Sequence, residues 1–153
     1  MRRLGFAAAA ALAACNPGPA PSEPAARPQA RTGLEQVPLT VTSANGAHRF
    51  TVEVARTEEQ QRMGLMFRTS LGPDQGMIFP YQPPRDVAFW MKNTLIPLDI
   101  IFVRANGMIA RISTAVPHSE TQVPSGEAIA LVLEIPGGRA AELGIRPGDR
   151  VEW

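Results

Sequence analysis

From Leu39 onward the chain alternates apolar and polar residues in short runs, and Asn-Gly steps separate neighbouring runs. Leu39, Val41 and Ser43 alternate with Thr40 and Thr42; after Asn45-Gly46, Phe50, Val52 and Val54 alternate with Thr51, Glu53 and Ala55. A period of two sends successive side chains to opposite faces of a strand. Two such runs joined by a short loop containing Asn-Gly specify a hairpin. The same logic makes Leu98–Arg104 and Met108–Val116 a second hairpin around Asn106-Gly107.

Between and after the hairpins the pattern predicts further short strands at Gly76–Phe79, Asp86–Met91, Ala128–Ile135 and Arg150–Trp153. Thr57-x-x-Gln60 is a capping-box pattern, and it predicts a short helix reaching about Phe67. Gly138–Leu143 reads as a helical turn closed by Gly144, and residues 117–127 as a Pro/Ser/Thr/Gly-rich loop. Many short strands with regular turns and one helix predict a mainly-β fold, a single β-sandwich or barrel-like domain with one short α-helix over residues 38–153.

The N-terminal segment has a different character. Met-Arg-Arg precedes an apolar run through Ala14, which reads as a secretory signal at residues 1–14 and is too short for a transmembrane helix. Leu12-Ala13-Ala14-Cys15 resembles a bacterial lipobox, so Cys15 is the expected lipidation site. Several acyl chains would hold the protein stably on a membrane. Asn16, where Asp usually marks inner-membrane retention, points to the outer membrane and the periplasm. Cys15 is the only cysteine, so the domain has no disulfide to support its core. Residues 15–37, with Pro17, Pro19, Pro21, Pro24 and Pro28, read as an extended tether rising about 3.1 Å per residue where polyproline-like.

Removing Arg2 and Arg3 leaves thirteen basic residues against fourteen acidic ones, a net charge near −1. No basic stripe remains for a phosphate backbone, and nucleic-acid binding is not expected.

Lys92 is the only lysine, and it stands in the run Phe89-Trp90-Met91-Lys92-Asn93-Thr94 ahead of Asp99. Lys92, Asn93 and Thr94 bring hydrogen-bonding groups beside an aromatic ring. Asp99 and Glu134 are carboxylates inside apolar strands, where burial without a partner or water is costly. Asp99 shares a strand face with Ile101 and Val103, and Glu134 with Val132. A few polar groups and an aromatic wall have the composition of a small-ligand pocket. The candidate ligand-binding residues are therefore Trp90, Lys92, Asn93, Thr94, Asp99 and Glu134, with Arg62 as a further group for a carboxylate. A competing structural reading has Lys92 paired with Asp99 or Glu134, pinning a loop.

Arg62-Met63-Gly64-Leu65-Met66, Gly76-Met77-Ile78-Phe79, the run at 89–99, Leu131-Val132-Leu133-Glu134 and Gly148-Asp149 occur in this order. Together they resemble the domain-of-unknown-function family number 192, with Ile78 where Leu is common. The resemblance implies a β-sandwich-like domain with a short helix, and it implies no mechanism.

The favoured functional expectation is non-catalytic binding of a small or envelope-associated molecule around Trp90, Lys92, Asn93 and Asp99. The alternatives are an enzyme using Lys92 with Asp99 or Glu134, and a protein-interaction module of the cell envelope. No nucleophile elbow, phosphate loop or Ser-His-Asp pattern supports a named reaction. His48 and His118 lack ligand spacing, and the methionines read as core filler, so neither metal nor cofactor is expected.

Overall fold

A computed structural model describes residues 33–153. The expected signal segment, Cys15 and most of the tether lie outside the described residues. The first hairpin forms from β1 (Gln36–Ser43) and β2 (Gly46–Val54), with Ser43 opposite Gly46 across the turn. Next come α1 (Glu58–Met63), β3 (Gln75–Arg85), β4 (Ala88–Phe89) and β5 (Leu98–Val103). The chain continues through β6 (Ile109–Ala115), β7 (Val123–Pro124), β8 (Ile129–Pro136), α2 (Arg139–Leu143) and β9 (Arg150–Glu152).

Seven strands form one curled sheet in the order β6-β5-β8-β3-β2-β1-β9, a half-barrel carrying two short helices. Among the described strands of this sheet, only β2 and β3 pair in parallel; the remaining neighbours are antiparallel. The curl brings the two edges together at one end. Met108 bridges Arg150, the Ile109 amide donates to the Asp149 carbonyl (2.8 Å), and the Val151 amide donates to the Gly107 carbonyl (2.8 Å).

Two cores follow from the strand period. One face collects Leu39, Val41, Phe50, Val52, Ile78, Ile101, Leu133 and Val151, with Ala140 of α2 and Ile145 packed against them. This core takes residues from both edge strands and fills the inside of the curl. The other face carries Met77, Phe79, Leu98, Ile100, Phe102 and Val132, covered by Leu65, Met91 and their neighbours. It supports the candidate site.

The mainly-β expectation holds, with differences at several boundaries, among them β3, which runs to Arg85 rather than ending at Phe79. Strand β1 starts at Gln36, two residues before the expected domain start. The helix expected to reach Phe67 stops at Met63, because Gly64 leaves helical geometry (φ 48°, ψ −132°). The strand expected over Asp86–Met91 is reduced to β4, and its partner β7 lies inside the segment expected to be loop. The residues flanking β4 are held by loop contacts instead. Beyond Phe89, which packs edge-on against Phe79 (5.0 Å) and Phe102 (6.3 Å), the Met91 amide donates to the Ser119 carbonyl (2.7 Å).

Candidate functional site

Strand β8 lies between β3 and β5, so Glu134 has Met77 on one side and Ile100 on the other. All three side chains face the second core. Glu134 is 4% exposed, and neither of its oxygens has a hydrogen-bond or ion-pair partner among the described residues. Burial alone pushes its carboxyl up from the usual carboxylate range to about 8. At neutral pH it is therefore mostly a protonated acid, which can donate one hydrogen bond and accept others.

The carboxyl is not sealed in. It contributes to the lining of a pocket of about 40 Å³, shared with Arg62, Met63, Met66, Phe79, Phe89, Trp90 and Thr94. Helix α1 forms one wall. Its Thr57 capping box is as expected: the Thr57 hydroxyl accepts from the Gln60 amide, and the Gln60 side chain accepts from the Thr57 amide. Gly64 then breaks the helix beside the Phe79 ring, where an added Cβ would stand 3.5 Å from that ring in a left-handed backbone. The segment after the helix is clamped to the sheet by Arg68, which forms a largely buried ion pair with Glu53 on β2.

The opposite wall is the segment after β4. Phe89 and Trp90 line the pocket, and Thr94 is buried at its side. Among the described residues, the three non-glycine residues with positive φ meet here: Phe67 (61°), Asn93 (56°) and His118 (61°). The Phe67 amide donates to the Asn93 carbonyl (2.8 Å), and the His118 amide donates to the Thr94 carbonyl (3.1 Å). Left-handed backbone at non-glycine residues costs energy and tends to concentrate at functional sites. Around the mouth, Met63, Phe67 and Trp90 are exposed.

The sequence candidates thus separate. Glu134, Thr94, Trp90 and Arg62 share the pocket. Asn93 is an exposed neighbour that acts through its backbone carbonyl. Lys92 places its ammonium 5.2 Å from the centre of the Trp90 ring and is paired with neither carboxylate. The pinning ion pair does not form.

Asp99 lies on the other face of the sheet, beneath α2. Its oxygens accept from the Thr114 hydroxyl (2.6 Å) and from the amides of Gly138 (3.0 Å) and Ala140 (2.8 Å). It anchors the start of α2 to the inner core and takes no part in the pocket around Trp90. The placement of β8 beside β5 decides this, because Asp99 pairs with Ile135 while Glu134 pairs with Ile100.

Sequence reasoning missed Met63, Met66, Phe79 and Phe89 as pocket residues. Their one sequence signal is position within the fingerprint runs at 62–66, 76–79 and 89–99.

Other concave surfaces have different chemistry. A groove of about 900 Å³ opens near the β5–β6 turn. Its Arg56 and Arg104 are solvated and already paired with Glu35 and Glu127. No group of three or more His, Cys, Asp or Glu side chains could hold a metal ion among the described residues. His48 instead shares a 2.9 Å hydrogen bond with the Ser43 hydroxyl.

The family model DUF192, described as "Uncharacterized ACR", matches residues 40–153. The chain belongs to this family. The matched region of the DUF192 domain includes every residue of the pocket.

Two solved structures are similar. One is a protein of unknown function from Novosphingobium aromaticivorans DSM 12444, 51% identical, with a TM-score of 0.79 over 87% of this chain and 94% of that one. The other, described as a candidate transcription regulator, comes from Sinorhizobium meliloti 1021. It is 42% identical, with a TM-score of 0.76 over 78% of this chain and 94% of that one. Among curated proteins, none matches.

Proposed function

We propose that this DUF192 domain is a non-catalytic binding module of the bacterial envelope, receiving part of a small molecule in the pocket over Glu134. The observation that carries the reading is a buried carboxyl with no partner among the described residues whose side chain reaches a pocket. A buried polar group without a partner costs stability, and a ligand that satisfies it recovers that cost on binding. The aromatic and thioether walls supply apolar contact, and the exposed Met63, Phe67 and Trp90 extend it beyond the mouth.

Binding is favoured over catalysis by the placement of the ionisable groups. The acid–base pair that the enzyme reading needs is not assembled, since Lys92 rests on Trp90 and Asp99 is occupied on the far face. The location rests on the sequence: the Leu-Ala-Ala-Cys15 resemblance supports a lipid anchor at the periplasmic face of the outer membrane, with the proline-rich segment as tether.

A fragment screen followed by amide chemical shifts tests the site. Fragments should perturb Thr94, Trp90 and Gly64 together, and Glu134→Leu should abolish the perturbation while leaving the fold intact. Perturbation centred on the groove near Arg104 would move the site elsewhere. For the anchor, Cys15→Ser should release the protein from membranes into the soluble fraction; retention would refute lipidation as its anchor.

A further inference from the structure

We propose that the group received over Glu134 is a primary ammonium on a short aliphatic stem, held by the carboxylate and the rings of Phe79, Phe89 and Trp90. This rests on the binding reading above and names the chemistry of its ligand. Within the pocket the Gln61 amide already donates to the carbonyls of Ala55 (3.1 Å) and Pro80 (3.2 Å), and the Thr94 hydroxyl donates to the Lys92 carbonyl (3.4 Å). Arg62 and the Trp90 indole also line the pocket, but none of the described residues donates to the Glu134 oxygens, so a ligand that satisfies them brings its own donors. An ammonium brings three donors and no acceptor.

The walls select in the same direction. Aromatic faces attract cations, and the attraction grows as water is excluded. Lys92 shows the affinity of this surface for an ammonium, since its own lies 5.2 Å from the centre of the Trp90 ring. An anionic group could take only the single hydrogen bond of the protonated acid, and it would face the negative faces of the aromatic walls. Size adds a further limit. A volume of about 40 Å³ accommodates a water-sized head, whereas a trimethylammonium head is larger by three methyl groups. Arg62 stands at the exposed mouth, where solvent screens its charge.

Binding of the cation is coupled to a proton. Glu134 is protonated in the empty site at neutral pH, and a bound ammonium favours its ionised form, so the carboxyl proton passes to solvent as the cation enters. The other charged or titratable groups around Glu134 are few. Tyr81 on β3 is held neutral up to about 12 by burial. Glu53 on β2 is paired with Arg68, Arg62 ends α1, Lys92 lies on Trp90, and His118 neighbours Thr94. Strand β5 brings only Leu98, Ile100 and Phe102 to this face.

Calorimetric titration of n-butylammonium into the protein, in two buffers of different ionisation enthalpy, is the test. At pH 7 the expected result is binding with release of about one proton, tightening between pH 6 and pH 8. n-Butanol and n-butyltrimethylammonium should each bind at least about tenfold more weakly. Glu134→Gln, a near-isosteric change, should lose both the affinity and the proton release. His118→Asn should keep the pH dependence, and Trp90→Leu should weaken binding while keeping the proton release. If n-butanol binds as tightly as n-butylammonium, or if the amine binds without releasing a proton, the ammonium assignment fails and the binding site stands. If no probe binds and no fragment perturbs the pocket, both readings fail.

Discussion

Asp99 and Glu134 are a natural experiment within one sheet. Both are carboxylates in apolar strands, and they are 1% and 4% exposed. One faces the inner core and accepts three hydrogen bonds; the other faces the outer core and accepts none from the described residues. Burial alone therefore does not mark a functional carboxylate. The informative quantity is how many of its acceptor sites the fold has already filled. Asp99 is fully employed in holding α2, whereas Glu134 is almost wholly out of water, has no partner among the described residues and opens on a pocket.

Four substitutions would break or sharpen this contrast. The largest effect should come from Asp99→Leu, which strands the amides of Gly138 and Ala140 and the Thr114 hydroxyl. A loss on the order of 4 kcal/mol is expected in denaturant unfolding. A loss below about 1 kcal/mol would remove the structural role given to Asp99.

Glu134→Gln should act in the opposite sense. Glu134 titrates near 4.5 in the unfolded chain and at about 8 in the folded one. Between those values the folded protein holds the extra proton, so wild-type stability falls as pH rises through that window and levels off above it. The glutamine variant lacks this slope and should be more stable at pH 8 by on the order of 3 kcal/mol. Stability curves that run parallel from pH 5 to pH 8 would show that Glu134 is not buried as an unpaired acid.

Arg68→Ala probes a third carboxylate, Glu53, which is buried but supplied with a cation. Leaving it unpaired should cost about 2 kcal/mol and loosen the segment after α1. Faster amide exchange at Leu65 and Phe67 would accompany it, and unchanged exchange would argue against a clamp. Lys92→Ala should have the smallest effect, under about 1 kcal/mol, since a partly exposed cation over an aromatic ring contributes little. A loss of several kcal/mol would restore the pinning role that the observed geometry denies it.

The strands were legible because their period of two and their Asn-Gly steps are local signals. The capping box at Thr57 was legible for the same reason. Both carboxylates also announced themselves as charges in apolar runs, and the sequence placed each correctly relative to its strand neighbours. Which face of the shared sheet each strand presents was not legible. That depends on β8 inserting between β3 and β5 in one register, a non-local outcome that nothing in either strand encodes. The aromatic and methionine walls were hidden for a different reason. Phe79, Phe89, Met63 and Met66 have the composition of core, and only the break at Gly64 and the short β4–β7 pairing turn them toward a pocket. The expected strand at 86–91 shrank to Ala88–Phe89, paired with β7, because beyond Phe89 the apolar run is buried by loop contacts rather than by a sheet neighbour.

The meeting of the two sheet edges bears on how this domain can stand in a crowd. An open edge is a template that any extended chain can extend, including a second copy of the same protein. Here the Met108–Ile109 segment and the Asp149–Val151 segment use those backbone groups on each other, and Arg111 of β6 reaches across to the Pro124 carbonyl (2.6 Å). Copies packed side by side on a surface would find little backbone at this end to zip together. Recognition there falls to side chains, which can be selective where a bare strand edge cannot.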